Sequence, residues 1–205
     1  KGVFMKILYG TRNPAKLDAM ARRLSVLGVE LYGLKDMEGR AIEIVEDGKT
    51  PLENARKKAI GYYDAFRIPV FSCDSGLYFD GVSECDQPGV HVRTIEGKYL
   101  TDEEMLLHYS MLAKKYGGLT ARYRNAICLV LDKEHVYEAM DESMASEPFL
   151  IIDVPHERRK KGFPIDSLSV DIATGKYFYD LEEEKLDEMA VEDGFQEFFR
   201  KYLVF

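Results

Sequence analysis

Three short stretches of the chain combine charged and small residues in ways that suit phosphate and metal chemistry. The first is Thr11-Arg12-Asn13-Pro14-Ala15-Lys16. Here a strand gives way to a tight turn and then to a helix, whose first N–H groups lack partners and attract anions. Lys16 lies one turn in and reaches the same anion; otherwise Asn13 is only a cap and Lys16 only a surface lysine. The second is Glu46-Asp47-Gly48-Lys49, ahead of a helix that carries Lys58. Its acids either serve chemistry or simply complement the helix dipole, and Lys58 is by default a solvated lysine. The third is Cys73-Asp74-Ser75-Gly76-Leu77. An acid where a buried strand ends in a turn glycine sits where open α/β sheets place ligands. Asp74 then binds a divalent ion or orients water, unless it only closes an Asx-turn on its own backbone.

Other chemistries find little support. Cys73 lacks the electropositive setting of a reactive thiolate, and His91, His108, His135 and His156 show no metal-ligand spacing. No nucleophile elbow, P-loop or dinucleotide fingerprint occurs.

The elements that must position these residues are legible. Residues 3–9 read as a buried strand ending at Gly10. A helix then starts at Asn13 and Pro14, buries Leu17, Met20, Leu24 and Leu27, and stops at Gly28. Residues 29–34 form a second strand. Thr50 and Glu53 make a capping box around Pro51; Leu52, Ala55, Ala59, Tyr62 and Phe66 are that helix's buried stripe. A short strand, 70–73, ends at Asp74. A helix opens at Thr101 with Glu104 and closes at Gly117-Gly118. The longest strand covers 119–131, two more lie near 135–140 and 148–152, and residues 183–203 are helical. Alternating helices and strands define an α/β protein.

The chain has 205 residues, 46% hydrophobic and 31% charged, with a net charge of −8. Such a composition builds a core in one domain spanning 1–205. Residues 180–193 hold most of the acid excess, and the basic run HERRKKG at 156–162 reads as a solvated loop. Without a basic face, long nucleic acid is not an expected partner. No apolar run reaches the roughly 20 residues of a membrane span, so no membrane partner is expected. Cys73, Cys85 and Cys128, odd in number and far apart, fit a reducing cytoplasm.

In order and spacing, these stretches resemble the inosine triphosphate pyrophosphatase (ITPase) family, which removes ITP, dITP and XTP. The family's T-G-N-x-x-K is here T-R-N-P-A-K, with Arg12 replacing the glycine. Its T-x-x-E-N-A-x-x-K-A is matched in full by 50–59, TPLENARKKA. Its D-D-S-G-L is CDSGL, with Cys73 for the first acid, and Pro88-Gly89-Val90 matches its P-G-x segment. The second half diverges. The family's G-F-G-Y-D-P is GFPIDS at 162–167, which keeps Phe163 and Asp166 but loses the second aromatic. Glu183-Glu184-Lys185 keeps the family's E-E-K, yet Val191-Glu192-Asp193-Gly194 stands where S-H-R-G is expected.

The resemblance implies a fold with a long central mixed sheet flanked by helices, elongated, with two lobes and a nucleotide cleft between them. It implies hydrolysis between the α and β phosphates of a nucleoside triphosphate substrate, with Mg²⁺ as cofactor. Glu46 and Asp74 would hold the metal, with Glu43 an alternative to Glu46, and Asp74 would also orient or deprotonate the attacking water. Thr11, Arg12, Asn13, Ser75 and Gly76 would contact the phosphates or nucleotide. Lys16 and Lys58 would stabilise the leaving pyrophosphate; Phe163, Asp166 and Lys185 would lie toward the nucleoside. A homodimer is the family's usual assembly. The altered second half leaves two rivals: a pyrophosphatase of changed base specificity, and a nucleotide-binding regulator without turnover.

Overall fold

The structure, a computed structural model, describes residues 5–37, 42–182 and 193–203. Its strands are β1 (Met5–Tyr9), β2 (Val29–Gly33), β3 (Val70–Phe79), β4 (Thr94–Ile95), β5 (Lys98–Tyr99), β6 (Leu119–Val130), β7 (Val136–Ala139), β8 (Phe149–Ile151) and β9 (Ser169–Asp171). Its helices are α1 (Pro14–Leu24), α2 (Pro51–Phe66), α3 (Asp102–Tyr116) and α4 (Asp193–Tyr202). Among the described residues a seven-stranded sheet runs in the order β2-β1-β3-β6-β8-β9, with β7 also paired to β6. β1 is parallel to β2 and to β3, while β6 is antiparallel to β7 and β8. The sheet is therefore mixed, as the family resemblance implied. β4 and β5 form a separate hairpin.

The chain groups into two compact units. One comprises Lys1–Ser75, Asn125–Met144 and Glu192–Phe205; the other comprises Gly76–Arg124 and Ala145–Val191. In the first, Leu8 and Val70 pack with Ala55, Ala59, Tyr62 and Phe66 of α2 and with Ala126, Cys128 and Val130 of β6. Phe71 stacks on Tyr9 at 4.5 Å and meets Phe199 of α4 edge-on at 5.0 Å. In the second, Met105, Tyr109, Leu112 and Ala113 of α3 pack with Leu77, Phe79, Leu119, Phe149 and Ile165.

The caps of α2 and α3 follow the sequence, with one amendment. Thr101 and Glu104 form the full reciprocal box at α3. At α2, Thr50 Oγ1 accepts from the Glu53 N–H, but the Glu53 carboxylate reaches back to the Lys49 N–H at 2.7 Å. The box is thus offset by one residue and pins the approach segment as well as the helix start. The C-terminal helix is seen over Asp193–Tyr202; residues 183–192 of the expected span lie outside the described residues.

The clearest correction concerns β3. The sequence suggested a strand of 70–73 that stops at Asp74, but the strand continues to Phe79. Asp-Ser-Gly has turn chemistry, yet Leu77 exchanges both backbone hydrogen bonds with Gly89, at 2.9 and 3.0 Å. Leu77 and Phe79 are also buried. Pairing and burial outweigh local turn preference. Gly76 serves this pairing: a Cβ there would sit 2.9 Å from the Gly89 carbonyl oxygen.

Gly10, between β1 and the turn into α1, is fixed by space. A Cβ would fall 2.1 Å from Ser72 Oγ and 2.8 Å from the Tyr62 ring. Gly10→Ala is expected to destabilise the chain by about 1–3 kcal/mol through overpacking. Urea denaturation would read this as a lower midpoint with an unchanged slope.

Candidate functional site

α2 brings the chemistry together. Its N-terminal half carries Asn54 and Lys58 one turn apart, so both project from one face. Lys58, which the sequence leaves by default in solvent, is only 8% exposed. Its Nζ donates to Asp74 Oδ1 at 3.1 Å and to the Cys73 carbonyl at 3.0 Å, and lies 2.8 Å from Glu46 Oε2. Asn54 Nδ2 donates to Asp74 Oδ2 at 3.1 Å, while Asn54 Oδ1 accepts from the Gly48 N–H at 2.8 Å. Burial opposes the Lys58 charge, but Asp74 and Glu46 more than offset it and raise its pKa above the usual lysine value.

Residues 42–49 have no regular secondary structure, yet they are placed along α2. Gly61 leaves room for Ile44, whose Cδ1 would lie 2.5 Å from a Cβ at that position. Gly48 approaches Asn54 so closely that its own Cβ would sit 2.5 Å from Asn54 Oδ1. Consecutive acids then divide their partners: Asp47 pairs with Lys57 and Glu46 with Lys58.

A cavity of about 350 Å³ in the first unit is lined by Thr11, Arg12, Lys16, Glu46, Lys58 and Asp74. Three stretches that are distant in sequence therefore meet at one hollow with three cations and at least two carboxylates. Glu43 lines it too, so both candidate glutamates face the same space. Arg12, in the position of the family's glycine, donates from Nη2 to the Ile42 carbonyl at 2.9 Å and ties the β1–α1 turn to the acidic segment. Burial pushes the Tyr62 phenol above its ordinary pKa, with Arg12 and Lys58 opposing from the same cavity.

Other expected residues sit elsewhere. Asn13 precedes α1; its N–H donates to Thr11 Oγ1 at 3.2 Å and its carbonyl accepts from Leu17. It is not among the cavity's lining residues. Ser75 Oγ donates to Asn125 Oδ1 at 2.6 Å, and Gly76 serves strand pairing. Asp74 lies within β3 with both oxygens engaged, so it is neither at a strand end nor closing an Asx-turn. In the second unit, Phe163 is half-exposed with the Lys160 ammonium 4.6 Å from its ring centre. Asp166 belongs to the Pro164–Ser167 turn, where burial raises its pKa against the pull of Lys160. Lys185 lies outside the described residues.

Asn54 is the site residue that residue-by-residue reasoning missed. Its signal was present: asparagine is a poor choice in a helix interior unless its amide has work there. The second unit holds a larger cavity, about 700 Å³, with Arg93, Asp102 and Lys160 in its lining. Its lining has two carboxylates, Asp102 and Glu103, and Asp102 is paired with Arg93 at 2.8 Å; the smaller cavity gathers three, Glu43, Glu46 and Asp74, beside its cations, and is the better candidate for metal-assisted phosphate chemistry.

The donor set suits Mg²⁺, which takes hard oxygens, keeps several waters and needs only one or two protein carboxylates beside substrate phosphates. Cys73 is a poor soft ligand or nucleophile here. Burial pushes its thiol up to about 12, with Lys58 and a hydrogen bond to Tyr9 only partly opposing.

Comparison with known proteins gives one family. The profile of the Ham1 family matches residues 7–189. A dITP/XTP pyrophosphatase of Thermus thermophilus is 30% identical over 178 residues, covering 86% of this chain and 81% of that protein. One of Aquifex aeolicus is 40% identical over 87 residues, covering 42% of this chain and 40% of its own length. For two further relatives of that name the match spans 62% of their length. The solved structure of a HAM1 protein from Coxiella burnetii shares the fold, with a TM-score of 0.76 and 21% identity over 98% of both chains. No helix among the described residues is long and apolar enough to cross a membrane.

The thiol geometry predicts reactivity. With a neutral thiol reagent at pH 8, exposed Cys85 should label first and Cys73 far more slowly, gaining rate only as pH approaches its raised value. Mass spectrometry of time points reads the order; equal rates would contradict it.

Proposed function

The chain belongs to the Ham1 family, and from that premise we propose that it hydrolyses the non-standard purine nucleoside triphosphates ITP, dITP and XTP between the α and β phosphates. The products are a nucleoside monophosphate and pyrophosphate. The observation that carries this reading is the convergence of Thr11, Arg12, Lys16, Glu46, Lys58 and Asp74 on one cavity. The names of the relatives support the substrate class.

A triphosphate carries about four negative charges, which a site must neutralise before water can attack. Thr11, Arg12, Asn13 and the start of α1 are suited to hold phosphate oxygens, and Lys16 and Lys58 to stabilise charge gathering on the leaving pyrophosphate. Glu46 and Asp74 would hold Mg²⁺, which supplies charge neutralisation and a more acidic bound water. Asp74, held from both sides by Lys58 and Asn54, is the group to orient or deprotonate the water. Ser75 would contact the nucleotide from β3. A cytoplasmic homodimer completes the proposal.

A second reading changes the base. Pro164-Ile165 replaces the family's second glycine and aromatic, and Val191-Glu192-Asp193 replaces its serine, histidine and arginine. Both departures fall on the nucleoside side; the phosphate side departs from the family only at Arg12, for its glycine, and at Cys73, for the first acid of its pair.

Assays with Mg²⁺ and each of ITP, XTP, dITP, dUTP, ATP and GTP, following pyrophosphate and orthophosphate separately, separate these readings. Preferred release of pyrophosphate from ITP, dITP and XTP supports the first. Preference for another base supports the second. Binding without product supports a regulator, and orthophosphate alone contradicts α–β cleavage. Asp74→Asn is expected to cut pyrophosphate release by about 10²-fold or more with an unchanged circular dichroism spectrum. Full activity would remove Asp74 from the mechanism.

A further inference from the structure

An ammonium group has three N–H donors, and Lys58 has three acceptors: Glu46 Oε2, Asp74 Oδ1 and the Cys73 carbonyl. All three distances lie between 2.8 and 3.1 Å. Two of the acceptors are the carboxylates assigned to the metal. In this arrangement Lys58 has no donor left for a phosphate, and its positive charge stands between two groups that would have to receive a dication.

The partners differ in freedom. The Cys73 carbonyl is strand backbone, and Asp74 is held on its other oxygen by Asn54. Glu46 is the loose partner: its side chain is 47% exposed, against 10% for Lys58 and 18% for Asp74. Exchange therefore begins most easily at Glu46, which can leave Lys58 by rotating its own side chain.

We infer that Lys58 is the resident counter-ion of the Glu46–Asp74 pair, so that the chain holds a divalent cation poorly alone and well only together with a polyphosphate that takes over the Lys58 donors. Lys58 thereby acts as a positioning residue before it contacts substrate. It keeps the two carboxylates close when no metal is present, and it releases them only when phosphate oxygens replace them. Metal and triphosphate then favour each other's binding, and by linkage the effect is reciprocal. The inference rests on the proposed role of Glu46 and Asp74 toward a metal, but its test reads binding and requires no turnover.

The test uses the full chain and Mn²⁺ alone, counted by the electron paramagnetic resonance signal of the free ion. Lys58→Met and Lys58→Gln are expected to bind Mn²⁺ at least about tenfold more tightly than the unsubstituted chain, within the usual range of coupling between sites. Adding Glu46→Gln to Lys58→Met should remove that gain, which a general loosening of the fold would not do. Equal affinity in the unsubstituted chain and both variants overturns the inference.

A second arm needs no substitution. Thermal unfolding of the unsubstituted chain is followed with Mg²⁺, with inorganic tripolyphosphate, and with both. The midpoint should rise with both together by clearly more than the two separate shifts added. A full rise with Mg²⁺ alone overturns the inference, and this arm decides if the Lys58 variants do not fold. If both arms succeed and no nucleotide yields pyrophosphate, the assigned reaction fails and the counter-ion role stands. Product formation with additive binding sinks the counter-ion role alone.

Discussion

A lysine ammonium buried against two carboxylates organises the first unit. Removing such charges from water is costly, and the cost is offset only where geometry and additional hydrogen bonds are good. Here Asn54 and the Cys73 carbonyl supply those bonds. The cluster constrains three separate parts of the chain at once: the face of α2, the point along β3 where Asp74 emerges, and the path of residues 42–49. Removing the Lys58 charge would leave Asp74 with one partner fewer, whereas Glu46, 47% exposed, can turn to water.

The strands explain why Asp74 can be held so firmly. β3 is anchored before it by Val70 and Phe71, both fully buried, and after it by Leu77 and Phe79. Phe71 lies between Tyr9 and Phe199. A carboxylate on a loop would be freer to follow its counter-ion; one in mid-strand keeps its place while Glu46, on an irregular segment, adapts. The site therefore pairs one rigid acid with one compliant acid.

Much of this was legible in the residues. Helix starts at Pro14, Pro51 and Asp102 were signalled by the residues that lead into them, and the α/β class followed from alternation. The acid and lysine types of the site were visible in three short stretches. What local reading lost was context. Asp-Ser-Gly suggested a turn because pairing of Leu77 with Gly89 is invisible until residues 12 apart are brought together. Lys58 looked solvated because its burial depends on β3, and Asn54 looked unremarkable because both its partners are remote. Glu53 was placed in a capping box one residue away from the bond it makes, since the path of Lys49 is set by contacts beyond the helix.

The two neighbouring ion pairs, Asp47 with Lys57 and Glu46 with Lys58, have a consequence for how this region tolerates change. They run in opposite directions along the chain, so the segment and the helix are joined like a short zipper whose teeth are one residue apart. Exchanging a tooth for another of like charge preserves the mesh. Adding a single residue between Gly48 and Thr50 would slide every tooth by one and set Asp47 opposite Lys58; deleting one would set Val45 there and leave Lys58 without that acid. Variation here is thus restricted in length more severely than in composition.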